Sequence, residues 1–183
     1  MPFGDLTFPL ATRQAGSNLA RACPNRDVAS DWGRVPITRR PAVPSDADFA
    51  RRTHHLAYRD VVERQFGPWI EEEQDRYFEN DWNAAAFEIL LCDGVPCGYV
   101  SVEDRDDVVH VREIVVLPAF QSRGIGSAVL REVIEQARAR RASVNLGTFH
   151  LNRAANLYRW LGFRETGRTA THTLFEWRGD DAG

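Results

Sequence analysis

The passage from Val108 to Arg138 restricts this chain most, because an apolar run, a proline, a glycine turn and an amphipathic pattern follow one another there. Ile114-Val115-Val116-Leu117 reads as a strand that must stop at Pro118, which has no N–H to offer a ladder. Beyond the turn, Val129, Leu130, Val133, Ile134 and Ala137 fall on one face of a helix, with Arg131, Glu132, Glu135 and Arg138 elsewhere. Between the two lies Gln121-Ser122-Arg123-Gly124-Ile125-Gly126-Ser127. A strand that feeds a helix through such a turn aims several unpaired backbone N–H groups at one spot. The helix dipole adds positive potential there, so a phosphate or pyrophosphate would be held. Gly124 and Gly126 have no Cβ and permit close approach. Taken alone, a G-x-G pair is weak. This one is not a P-loop, since no Gly-Lys-Ser/Thr follows, and Val129 stands where a dinucleotide fingerprint needs its third glycine.

The flanking patterns supply a sheet and further helices. Val35-Pro36-Ile37-Thr38-Arg39 predicts a short strand, and Ser45 a cap for a helix running to Tyr58, with Asp46 and Asp48 in its first turn. A second helix is expected from near Pro68 through Glu71-Glu72-Glu73 to Phe78. Phe87, Ile89 and Leu91 alternate with their neighbours, Asp93-Gly94 signals a hairpin, and Gly98 to Val102 returns. A strand from Val108 to Leu117 follows. After the amphipathic helix come a strand over Ser143 to Phe149, a short helix over Arg153 to Leu161 stopped by Gly162, and a hairpin of Phe163 to Gly167 with Thr169 to Trp177. The order β-α-α-β-β-β-α-β-α-β-β predicts an α/β (α+β) domain whose central mixed, mostly antiparallel sheet is flanked by helices.

At 183 residues the chain is long enough for one domain with a real core. Residues 1–34 lack a sustained period and read as a flexible N-terminal extension, 35–178 as the domain, and 179–183 as a C-terminal tail. A net charge of −3 argues against a broad nucleic-acid surface. All 23 basic side chains are arginines, so the chain has no lysine of its own to acylate. Cys23, Cys92 and Cys97 cannot form a complete set of bridges and have no zinc-ligand spacing with the histidines, so no metal is expected. No apolar run approaches the roughly 20 residues that span a bilayer, and Met1 to Leu10 lacks a leader's basic and apolar regions. A cytoplasmic location without membrane contact is the expectation.

The strand, proline and Gln121-Ser122-Arg123-Gly124-Ile125-Gly126 turn resemble the Q/R-x-x-G-x-G/A motif of the GNAT superfamily of acyl-CoA-dependent N-acyltransferases. Thirty residues on, Asn152-Arg153-Ala154-Ala155-Asn156-Leu157-Tyr158 and Gly162-Phe163 resemble that superfamily's strand–helix–strand passage. The resemblance covers roughly Val35 to Trp177. It implies a single GNAT-like domain using acetyl-CoA as cosubstrate, with backbone N–H groups from Arg123 to Ser127 around the pyrophosphate. It also implies that Ile114, Val115 and Val116 splay from a neighbouring strand to pair with the pantetheine arm, and that Asn152 contacts that arm or orders a water. A main-chain N–H near Val116 would polarise the thioester carbonyl.

Acetyl transfer needs a neutral amine, whose conjugate acid has a pKa of about 10.4 in lysine, and a stabilised thiolate. By the resemblance Tyr158 is the acid, although 154, 158 and 161 also form an ordinary packing stripe. The base is His110, or Glu113 if a bulge changes the phase of the strand; either residue could instead be a solvated surface group. On a regular strand His110 shares its side with Arg112, Ile114 and Val116. His54, His55, Tyr58, Trp69 and Tyr77 belong to an acceptor-side lid where packing is the commoner role, and Glu71 to Glu73 could attract a cationic amine or simply face solvent. His172 could face the acceptor or be an ordinary strand residue. The implied reaction is direct attack by an amine, small molecule or protein, without an acyl-enzyme. The alternative is a non-catalytic acyl-CoA-binding sensor. The resemblance also allows a homodimer.

Overall fold

Asp93 and Gly94 both adopt left-handed backbone, at φ 52° and 77°. Two such residues make the tight turn whose twist matches a hairpin. Glu88–Cys92 (β2) therefore folds back on Val95–Arg105 (β3), and Val108–Val116 (β4) extends the meander. Ile37–Pro41 (β1) closes the far edge against β2. The computed structural model describes residues 36–179, so the expected extension over 1–34 and nearly all of the expected tail lie outside the described residues.

Two helices separate β1 from β2. Ala47–Phe66 (α1) runs eight residues past the expected end at Tyr58, because Val61 and Val62 continue its buried stripe until Gly67, at φ 104° just before Pro68. Ser45 is not its cap. It lies in a 3-10 turn, Pro44–Asp46, where Asp46 Oδ2 accepts the Val43 N–H (2.8 Å) and pairs with Arg40 (2.7 Å). Glu71–Asp81 (α2) starts three residues after Pro68 and ends beyond the expected Phe78. Ile125–Ala139 (α3), Ser143–Phe149 (β5), Ala154–Trp160 (α4), Arg164–Arg168 (β6) and His172–Trp177 (β7) complete the expected order.

The seven strands form one sheet in the order β1-β2-β3-β4-β5-β7-β6, antiparallel throughout except for the β4–β5 pair. One face carries α3, whose Leu130, Val133, Ile134 and Ala137 pack with Val109, Val111, Val144, Leu146 and Phe175. Replacing the fully buried Leu130 by alanine would cost about 2–5 kcal/mol. The other face carries α1 and α2, which bury Phe78, Phe87, Ile89, Tyr99 and Val115. Among the described residues no helix is long and apolar enough to cross a membrane.

Two irregularities of β4 shape what lies above it. Ser101 pairs with Glu113, yet the next residue, Val102, pairs with Val111, so Arg112 is an extra residue bulged out of the β3–β4 ladder. On its other edge β4 pairs with β5 only from Val108↔Ser143 to Val111↔Leu146. Beyond that point β5 continues against β7 alone and the two strands part.

Candidate active site

The parting of β4 and β5 opens a cleft of about 1040 Å³ that reaches the glycine turn at one end and α1 at the other. Of the residues expected to act in catalysis or to hold the donor, all line it except Arg123.

At the turn, Gly124 caps α3 in left-handed backbone, φ 81°, and the first bond into the helix runs from the Ala128 N–H to the Gly124 carbonyl (2.9 Å). No backbone carbonyl among the described residues accepts from the N–H groups of Gly124, Ile125, Gly126 or Ser127. These donors, at the positive end of a 15-residue helix, suit an anionic group. The side chains nearby have other tasks. Gln121 Nε2 fastens the loop by donating to the Val116 carbonyl (2.9 Å), Ile125 is buried in the core, and the Arg123 guanidinium lies 5.3 Å from the centre of the Phe120 ring. Ser122 also takes left-handed backbone, φ 60°.

The bulge at Arg112 decides which way β4 points its side chains. Val109 and Val111 face α3, and so do Ile114 and Val116 after the extra residue. His110 thus shares the opposite face with Glu113 and Val115, a correction to the regular-strand expectation that grouped it with Ile114 and Val116. His110 is buried, its Nδ1–H donates to Asn145 Oδ1 (2.5 Å), and burial lowers its pKa.

Glu113 sits at the centre of the cleft's polar wall. Burial, and then the neighbouring Asp81 carboxylate, push its carboxyl up to about 7. Hydrogen bonds from Tyr99 (3.3 Å to Oε1) and Tyr58 act in the opposite direction, as does Arg112. Asp81, itself raised by burial, Tyr58 and Tyr99 carried no motif to distinguish them as neighbours of Glu113. They are brought together by the end of α2, the middle of α1 and a central strand.

Tyr158 enters from α4. Its ring packs on Phe163 (6.0 Å between centroids) and Phe175 (5.6 Å), and burial carries its hydroxyl up to about 12. It is both a core residue and a wall of the cleft. Asn152 Oδ1 accepts the Ala154 N–H (2.9 Å), which starts α4 and leaves its amide NH₂ as the donor it can present. At the α1 end, the His172 ring lies 4.5 Å from that of Phe149, and burial lowers its pKa to about 4. Of the aromatic residues expected in a lid, Tyr58 lines the cleft. His54 is buried beside Tyr58 and Phe78, and His55 binds Glu71 Oε1 (3.0 Å) next to Trp69. Glu71 is thereby engaged by His55, Trp69 and Arg59. Cys92 and Cys97 are buried free thiols, and burial pushes Cys97 up to about 11, far from a nucleophile's range. Among the described residues, no group of three or more His, Cys, Asp or Glu is placed to hold a metal ion.

Residues 55–163 match the model of the acetyltransferase (GNAT) family. An uncharacterized N-acetyltransferase of Methanocaldococcus jannaschii is 32% identical over 105 residues, 56% of this chain and 45% of that protein. The N-acetylaspartate synthetase of Danio rerio is 37% identical over 94 residues, 49% of this chain and 33% of that protein. The chain thus spans less than half the length of these curated relatives. Among solved structures, the PaiA N-acetyltransferase of Thermoplasma acidophilum in complex with coenzyme A superposes with a TM-score of 0.64 at 11% identity, covering 78% of this chain and 99% of that one. The ribosomal-protein-S18-alanine N-acetyltransferase of Escherichia coli gives 0.53 at 21% identity, over 77% and 91%. At such identities these structures establish the fold.

Proposed function

Because this chain belongs to the acetyltransferase (GNAT) family, we propose that it moves an acetyl group from acetyl-CoA to an amine by direct attack in the cleft between β4 and β5. The observation that carries this reading is the parting of those strands beyond Val111 and Leu146, since it gives the glycine turn, Glu113 and Tyr158 one shared space.

In this reading the free N–H groups at Gly124 to Ser127 hold the pyrophosphate of the donor, and the edge of β4 from Arg112 to Val116 supports its pantetheine arm. Glu113 is the base. With its carboxyl near 7, a large share is ionised at neutral pH and can take the proton that the amine must lose. His110 is the second candidate: donating Nδ1–H to Asn145 leaves Nε2 as its acceptor, but burial disfavours the protonated form that a base must reach. As nitrogen bonds to the acetyl carbon and the carbon–sulfur bond breaks, Tyr158 meets the departing sulfur with its O–H. A hydroxyl near 12 is a weaker acid than a thiol of about 8.5, so Tyr158 stabilises the thiolate by hydrogen bonding and keeps its proton. The thiolate is protonated from solvent on release, and Glu113 returns its proton to solvent. The buried Cys97 thiol, held at about 11, supports transfer without an acyl-enzyme.

Titration calorimetry with acetyl-CoA, followed by a free-thiol assay across alkyl amines, amino acids and peptide N-termini, tests the proposal. Aspartate belongs in the panel because one relative is named N-acetylaspartate synthetase. Binding with thiol release on one amine class is the expected outcome. Binding without release on any of them would favour a non-catalytic acyl-CoA sensor, and absence of binding would overturn the assignment of the turn.

A further inference from the structure

The middle of β3 buries a serine between side chains that are aromatic or aliphatic. Val100 and Val102 face α3, Tyr99 faces α1 and α2, and the alternation of a strand sets Ser101 on the same side as Tyr99. Ser101 is 1% exposed, and its Oγ forms no hydrogen bond among the described residues. A buried hydroxyl without a partner costs free energy, and core positions of this kind ordinarily go to apolar side chains. Neither the packing of β3 nor the transfer chemistry uses this hydroxyl.

Its place in the ladder supplies a partner. Ser101 and Glu113 stand opposite each other across the β3–β4 pair, immediately before the bulge at Arg112. Opposite residues of antiparallel strands have Cβ atoms about 4.5–5.5 Å apart, a gap that the length of a glutamate can bridge. Tyr99, two residues earlier on β3, already reaches Glu113 Oε1 (3.3 Å). The other groups that bear on the carboxyl are Tyr58 from α1, Asp81 from α2 and Arg112 from β4. Among these, Tyr58 and Tyr99 donate hydrogen bonds to it. An ionised carboxyl has about four lone-pair sites, so room remains for a donor from the sheet and for a proton from the cleft.

We propose that Ser101 is a positioning residue for Glu113: its hydroxyl turns about one side-chain bond to donate to the ionised carboxylate, directly or through one bridging water. The inference rests on the reading of Glu113 as the base and adds a group that aims it. Ser101 keeps its own proton throughout. When the proton of the amine reaches Glu113, the carboxyl loses its charge and the hydrogen bond from Ser101 weakens. The contact therefore favours the form that awaits a proton. Held by Tyr99 and Ser101 from β3, the carboxylate keeps a free lone pair towards the cleft, where the attacking nitrogen stands.

The test compares the full chain as wild type, Ser101→Ala and Ser101→Thr. Ionisation of Glu113 is followed without any reaction, by NMR of carbon-13-labelled glutamate carboxyls, its signal being the one missing from Glu113→Gln. In parallel, kcat/KM is measured across pH with the best acceptor of the amine panel. Loss of a hydrogen bond to the carboxylate is expected to raise the Glu113 midpoint by about 0.5–1 pH unit in Ser101→Ala. The acidic limb of kcat/KM should move with it, a loss of about three- to tenfold at any pH well below the limb, while acetyl-CoA affinity stays within about twofold. Ser101→Thr keeps the hydroxyl and should return both midpoints towards wild type. Because Ser101→Ala removes a buried group that has no fixed partner, its melting temperature should not fall. A serine that merely fills space would leave the NMR midpoint in place, and that result would overturn the proposal. Movement of the NMR midpoint under a stationary rate profile would support the contact and instead remove Glu113 as the base beneath it.

Discussion

The Tyr99 hydroxyl on β3 donates to Glu113 Oε1 on β4 across 3.3 Å, and this bond favours the ionised carboxyl that burial and Asp81 both resist. The resistance is the stronger, and the carboxyl comes to rest at about 7. A base poised there is half ionised at neutrality.

The rate should therefore follow the ionisation of Glu113. We expect kcat/KM to fall about tenfold per pH unit below 7 and to level off above it. Tyr99→Phe removes a donor to the carboxylate and moves the limb to higher pH, whereas His110→Gln leaves it in place. Glu113→Gln should lose roughly 10²–10⁴ in rate with little change in acetyl-CoA affinity. A limb that follows His110 and ignores Tyr99 would make His110 the base and overturn the role of Glu113.

The same carboxyl should cost stability. Its folded pKa, about 7, exceeds the ordinary 4.5, so the folded chain holds the proton more tightly than the unfolded one. Stability is lost as pH rises from 4.5 to 7, and the whole penalty is in place above 7. Glu113→Gln should then be more stable than the wild type at pH 8, by on the order of 2–3 kcal/mol at most, and the advantage should shrink towards pH 4.5. Thermal melts at the two pH values measure it, and an equal difference at both would refute the burial argument.

Tyr158→Phe keeps the ring packing on Phe163 and Phe175 and removes only the hydroxyl. Turnover is expected to drop about a hundredfold while the dissociation constant for CoA stays within about twofold. Stopped-flow thiol release with calorimetry separates the two, and an unaltered rate would leave Tyr158 as packing alone.

Gly124→Val places a β-branched side chain at φ 81° in otherwise open space, so backbone strain of about 1–2 kcal/mol is the effect, without a clash. Relief of that strain turns the N–H groups away from their common target. CoA affinity is expected to fall at least about tenfold, and a variant that binds CoA like the wild type would put the phosphates elsewhere.

The order of elements was legible because each rests on a local signal: Asp93-Gly94 for the hairpin, the stripe from Val129 to Ala137 for α3, and Gly162, at φ 90°, for the end of α4. Boundaries were less so, since nothing before Gly67 distinguishes a helix ending at Tyr58 from one continuing through Val61 and Val62. The glycine turn could be read as a motif. The setting of Glu113 could not, because the bulge at Arg112 is fixed by pairing with β3, and its effect on which side chains share a face with His110 is a property of two strands together. Tyr99 and Asp81 gave no warning for the same reason: one alternates like any core residue and the other ends a polar helix, and only the assembled sheet sets both beside Glu113.

Four register pairs, Val108↔Ser143 to Val111↔Leu146, are all that join β4 to β5. The domain thus resembles a book, with strands β1 to β4 as one cover and β5 to β7 as the other, sewn along a short spine that α3 backs, and open at the fore-edge. A long molecule lying in the opening and touching both covers would act as a clasp. Such a molecule would decide how often the book falls open, and the supply of donor around the protein would then govern its durability as well as its speed.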